Sequence, residues 1–145
     1  MSWLKKIFGK ADDAAAPSTG EFESSFVYVR MPGDVQPVER HYLFEDPIEE
    51  QLKIRNLGYV SGGGTMQSEP DENGVSSIIL TGIDIEADDL DGVRDLLRTL
   101  LPGLGAPMES QIEYTVGEAR LQDRLTADGW IENEPRTDLH PGFEL

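Results

Sequence analysis

The chain has 145 residues, no cysteine, and 28 Asp and Glu against 12 Lys and Arg, a formal net charge of −16 at pH 7. The missing thiols exclude disulfides, thiolate nucleophiles and zinc–thiolate centres together. The charge opposes nucleic acid, whose phosphates are repelled within a screening length of about 8–10 Å, and no apolar run reaches the roughly 20 residues of a membrane-spanning helix.

Residues 1–10, MSWLKKIFGK, read as a unit of their own. Trp3, Leu4, Ile7 and Phe8 share one side of a helix and Lys5, Lys6 and Lys10 the other. This spacing predicts a short basic amphipathic segment that docks on a membrane surface or on a partner. Residues 11–21, ADDAAAPSTGE, have the composition of a flexible linker. Beyond them, residues 21–145 carry 9 Lys and Arg against 26 Asp and Glu, yet the hydrophobic pattern is that of a folded domain.

A first strand is expected over 25–31 (SFVYVRM), apolar on both faces and stopped by Pro32-Gly33-Asp34. Residues 35–45 read as a loop that packs down through Tyr42, Leu43 and Phe44. Asp46-Pro47-Ile48-Glu49 reads as a helix start, with Asp46 as cap and Pro47 in the first turn, giving a short helix over 47–56. Ile48, Leu52 and Leu57 face the core, and Gly58 suits a left-handed terminus. A second strand begins at Tyr59 and passes through Gly62-Gly63-Gly64 to Met66. Asn73-Gly74 signals a tight turn. A third strand over 75–86 is the most apolar segment of the chain. Asp88-Asp89 opens a second helix whose Leu90, Val93, Leu97, Leu100, Leu101 and Leu104 keep helical spacing, with Arg94 and Arg98 on the outer face and Pro102-Gly103 limiting its length. Residues 111–116 alternate as a fourth strand.

Strand, helix, strand, strand, helix, strand is the ferredoxin-like split β-α-β order. The expectation is therefore an α+β domain over 22–116, with a four-stranded antiparallel sheet, its first and third strands central, and two helices on one face. Residues 117–145 are expected to pack on as an extension. Within it, a third helix over 117–128 is suggested by Leu121 and Leu125 one turn apart, Trp130 and Ile131 pin the extension down, and 133–145 forms an extended arm.

Three patterns bear on function. Gly62, Gly63 and Gly64 lie between strand signals with no P-loop lysine, so they suit a bulge or a strand edge opened to a partner, or a small-molecule site on the sheet. Asp84, Glu86, Asp88, Asp89, Asp91 and Asp95 form the densest acidic cluster. A calcium loop counted from Asp84 lacks both the glycine at its sixth position and the glutamate at its twelfth. His41 and His140 sit in no nucleophile motif, and a general acid–base pair of His41 with Glu45 or Asp46 requires tertiary assembly. No cofactor or metal site is expected.

These features favour a non-enzymatic, cytoplasmic binding protein for a basic protein partner, such as an immunity or inhibitor protein that neutralises a basic effector. Asp71, Glu72, Glu86, Asp88, Asp89, Asp91 and Asp95 would form its acidic face, with Tyr42 and Tyr59 as aromatic contacts. The alternatives are a small-molecule sensor using Gly62–Gly64 and a membrane-peripheral adaptor using Trp3, Leu4, Ile7 and Phe8.

Overall fold

The first expected strand is β1, Ser25–Pro32, in the computed structural model, which describes residues 25–136. The docking residues Trp3, Leu4, Ile7 and Phe8, the linker, His140 and Phe143 lie outside the described residues. Val27, Val29 and Met31 point to one side of β1 and are fully buried, and the strand pairs antiparallel on both flanks.

Residues 35–45 are not a loop. α1 (Pro37–Glu39) runs into a π-helical turn, Arg40–Glu45, and on into α2 (Asp46–Ile54). Gln36 starts this helix, its backbone N–H donating to Glu39 Oε1 at 2.9 Å. Asp46 is therefore not a cap, and Pro47 stands mid-helix. A proline there lacks an N–H, and its ring crowds the carbonyl four residues back, here that of Leu43. The π turn, closed by Asp46 N–H on His41 O, widens the backbone by one residue at this place and carries the helix past the proline. At the far end Asn56, at φ +56°, takes the left-handed position expected of Gly58. Gly58 instead begins β2 (Gly58–Gln67), where a Cβ would meet Glu86 O at 2.2 Å.

β2 turns back into β3 (Ile78–Ala87) through a connection held by Asp71, whose Oδ1 accepts the N–H groups of Asn73 and Val75. Asp89 then caps α3 (Leu90–Leu104) by accepting from Gly92 N–H at 3.0 Å. α3 runs through Pro102-Gly103 to a left-handed Gly105 at φ +92°. β4 (Gln111–Val116) follows.

The four-stranded ferredoxin-like expectation fails beyond this point. The sheet has six strands in the order β2-β3-β1-β4-β5-β6, every pairing antiparallel. Residues 117–128 form no third helix; a turn at Gly117-Glu118 leads into β5 (Ala119–Thr126), and β6 (Gly129–Pro135) takes up Trp130, Ile131 and the first three residues of the expected arm, 133–135. Leu121 and Leu125 are four apart and so suit a helix, but they are also of equal parity and so suit a strand. The residue between them on that face is Asp123, and a carboxylate at an inward position hid the alternation.

Helix residues Phe44, Ile48, Leu52, Val93, Leu97 and Leu101 cover one face of the sheet, meeting Val27, Val29, Ile83, Ile85, Ile112 and Leu125. Because the sheet is wider than expected, Arg94 and Arg98 do not face outward. They lie over β5 and β6, and both reach Asp123, which is 0% exposed. Arg94 binds it through two nitrogens, each at 3.0 Å, and Arg98 Nη1 at 2.8 Å. The Tyr114 hydroxyl donates to Asp123 Oδ1 at 2.7 Å, and the Asn133 N–H, from a bulged residue at φ +59°, donates at 3.0 Å. The Arg94 guanidinium also stacks 4.1 Å from the centre of the Tyr114 ring.

A second link ties β6 to α3. Pro102 cannot donate to the carbonyl of Arg98, four residues earlier. That carbonyl instead accepts the Trp130 indole N–H at 2.9 Å. Trp130→Phe is expected to cost about 1 kcal/mol in urea denaturation. The loss should shrink in a Pro102→Ala background, where residue 102 regains an N–H for the same carbonyl.

Burial alone would raise the Asp123 pKa, but the hydrogen bonds from Arg94, the Asn133 N–H and Tyr114 outweigh it and hold the carboxyl below the usual carboxylate range. A group with a lower pKa folded than unfolded stabilises the fold above its unfolded value, about 3.9, and that contribution is lost as pH falls through the folded value. Asp123→Ala is expected to cost about 3–5 kcal/mol at neutral pH, because it takes the bidentate partner from buried Arg94 and a buried contact from half-buried Arg98. Its stability should also fall less steeply than the parent's on acidification below about pH 4, as measured by denaturation midpoints across pH.

Candidate functional site

The six-stranded sheet has two edges, and they differ in chemistry. β6 ends in Pro135 and carries Glu132 and Glu134, which are common devices for blunting an edge. β2, GYVSGGGTMQ, has no charged residue and spans ten positions. Among the described residues β3 is its one strand neighbour.

The glycines explain how this edge is built. Gly63 faces the helical layer, where a Cβ would come within 2.7 Å of Glu45 Oε2 and 2.8 Å of Gly82 O. Glu45 is held there by Arg40 Nε at 2.9 Å, and Arg40 Nη1 donates to Thr65 Oγ1 at 3.0 Å, so the π turn is clamped onto β2. Gly62 lies on the other face opposite Asp84, and the register shifts between Val60 and Gly62 and again between Met66 and Gln67. Gly64 has open space around it. α2 closes only the start of the edge, where Glu49 Oε1 accepts the Val60 N–H at 2.8 Å.

Charge is distributed unevenly about this edge. Residues 56–93, which include the β2–β3 hairpin and the start of α3, hold eight Asp and Glu and no Lys or Arg. Residues 94–136 hold eight Asp and Glu against five Arg. Glu86 faces Tyr59 across the strands and accepts from the Ser61 hydroxyl at 3.3 Å. Partial burial, together with the charges of Glu86 and Asp88, raises the Tyr59 phenol above its usual value. Tyr59, Met66, Val75 and Ile79 are large apolar side chains exposed on the same hairpin.

The expected acidic face is thus brought together in part. Glu86, Asp88 and Asp89 meet at the junction of β3 and α3, with Tyr59 beside them. Asp71 and Glu72 occupy the hairpin connection, at the far end of the same two strands. Asp91 and Asp95 turn along α3 instead, Asp91 lying 3.8 Å from Arg94 and Asp95 paired with Arg98. Tyr42 sits on the π turn, edge-on to His41 with ring centres 4.9 Å apart.

His41 does meet the carboxylates considered for it. Its Nδ1 is 3.2 Å from Glu45 Oε1 and its Nε2 is 3.9 Å from Asp46 Oδ1. The imidazole is 55% exposed, on the π turn. An open cleft of about 320 Å³ lies elsewhere, lined by Val35, Leu43, Phe44, Leu104 and Pro107, and contains neither histidine nor the three glycines. Among the described residues no three His, Asp or Glu side chains are placed to hold a metal ion, and no helix is long and apolar enough to cross a membrane.

No protein-family model, no curated protein and no solved structure matches this chain.

The Arg40–Glu45 clamp predicts different tolerances at neighbouring positions. Gly63→Val is expected to destabilise by about 1–3 kcal/mol through overpacking against Glu45 and Gly82. Gly64→Val, with space around it and a residue that favours strands, should be neutral or slightly stabilising. Urea denaturation of the two variants compares them directly.

Proposed function

We propose that this protein is a non-enzymatic, cytoplasmic binding module that takes up a basic protein partner along the β2 edge. The single observation carrying this reading is that the unblunted edge strand and the base-free stretch 56–93 are the same part of the molecule. An open edge offers backbone N–H and C=O groups to an added strand. The surrounding carboxylates draw a basic segment toward it and raise the encounter rate, an effect that fades with salt. Tyr59 and Met66, both about half exposed, supply the apolar contact that slows release once the strand is docked. An immunity or inhibitor protein occupying the basic groove of an effector is a concrete form of this activity.

The test is capture of partners from the native cell on the intact chain, followed by binding kinetics with the captured protein. A basic partner is expected, with an association rate that falls about ten-fold or more between low and high salt. Glu86→Gln with Asp88→Asn should slow association and flatten that salt dependence. Ser61→Lys with Met66→Lys, which charges the edge itself, should abolish binding while leaving the denaturation midpoint unchanged. Binding that survives both pairs of changes would sink the proposal, as would recovery of a bound metabolite with no protein.

A further inference from the structure

The helical layer carries a feature that strand docking at β2 does not use. A cleft of about 320 Å³ opens where the end of β1, the π turn and the end of α3 meet. Its walls are apolar: Val35, Leu43, Phe44, Leu104 and Pro107. Phe44 is buried in the core and Leu43 is half exposed, so the walls lead from solvent to the edge of the core.

The chain leaving β1 builds the mouth. Gly33, at φ +94°, turns the backbone out of the sheet while its N–H donates to Ile79 O at 2.8 Å. Val35 O accepts the Thr81 hydroxyl at 2.9 Å, which fixes the next step against β3. Gln36 then holds two carboxylates. Its side-chain amide donates to Asp34 Oδ1 at 2.6 Å, and its backbone N–H donates to Glu39 Oε1 at 2.9 Å. Both acids line the cleft and both are exposed. Among the described residues neither is in an ion pair, and Gln36 engages only one oxygen of each.

The end of α3 adds a third source of negative charge. Leu104 and Gly105 line the cleft from the helix C-terminus. The last carbonyls of a helix lack helical partners, and the aligned peptide dipoles leave partial negative charge there. No basic residue stands in that last turn to offset it. Among the described residues no Lys, Arg or His lines the cleft.

We propose that this cleft binds a small organic cation with an apolar body, of the alkylammonium class. The walls remove the alkyl chain from water, while the two carboxylates and the helix end receive the ammonium at the mouth. An anion would meet three like charges, and a bare metal ion would leave the apolar walls unused. The volume lies at the small end of the range for ligand sites, about 300–1,000 Å³, and so suits one such molecule. None of the lining residues belongs to the β2–β3 hairpin, so this site stands or falls independently of a partner strand.

Hexylammonium, hexanol and hexanoate share one body and differ in charge. Each is titrated into the isotope-labelled full chain at neutral pH and fixed ionic strength. The amide signals of Gly33, Val35, Leu43 and Gly105 report on the cleft. Hexylammonium is expected to shift them saturably and to bind about ten-fold more tightly than hexanol. Hexanoate, and methylammonium as a cation without the body, should leave them unmoved. Asp34→Asn with Glu39→Gln keeps the oxygens that accept from Gln36, and should lower the preference for hexylammonium over hexanol to about three-fold. Equal affinities of hexylammonium and hexanol in the parent would overturn the proposal. So would hexylammonium shifts that never saturate and spread across the acidic surface, or an undiminished preference in the double variant.

Discussion

The arrangement of this protein turns on one buried carboxylate. Moving an ionised Asp out of water costs several kcal/mol unless the protein replaces its hydration. Asp123, on β5, receives that replacement from three other elements at once: two arginines one turn apart on α3, the hydroxyl of Tyr114 on β4, and the bulged backbone of Asn133 on β6. Apolar side chains could fill the same space. They would not hold helix, strands and bulge in one register, because dispersion contacts have no direction and these hydrogen bonds do.

That requirement also shapes the surface. Arg94 and Arg98 are drawn inward to Asp123, and Arg124 is tied to Glu109 and Glu134. Among residues 56–93 there is no base to do the same. Acid and base therefore largely offset one another within residues 94–136, while residues 56–93 supply carboxylates and no base. Partial burial raises the Tyr59 phenol there, and the charges of Glu86 and Asp88 add to it. The same hairpin presents an edge strand without charged residues, so acid and open backbone converge on one stretch of chain, across the sheet from Arg94, Arg98 and Arg124.

How far the chain could be read depended on whether local pattern and tertiary role agreed. Val27, Val29 and Met31, the leucines of α3, and the Asp89 cap obey the rule that a lone strand or helix would obey, and they were legible. Pro47 was misleading because proline is commonest in a first turn, whereas here a π turn absorbs it mid-helix. Asp123 was misleading because inward strand positions are usually apolar. Arg94 and Arg98 looked like a solvated face until the sheet proved wide enough to lie beneath them. At the candidate site, Glu86, Asp88 and Asp89 could be grouped from sequence because a strand end and a helix start place them side by side. Asp91 and Asp95 could not be set apart from them, since only their arginine partners do so.

By itself, then, the amino-acid order determined the charge, the absence of thiol chemistry, the apolar faces of four strands and two helices, and the glycine run inside a strand. These are local properties, written in spacing of two and near four residues and in which groups ionise. Only the tertiary structure decided that two further strands join the sheet, that Arg94 and Arg98 turn inward, and that among the described residues the acidic strand β6 forms one edge and the uncharged strand β2 the other. Those outcomes depend on which distant side chains satisfy a buried charge, and a carboxylate's partners are chosen in space rather than along the chain.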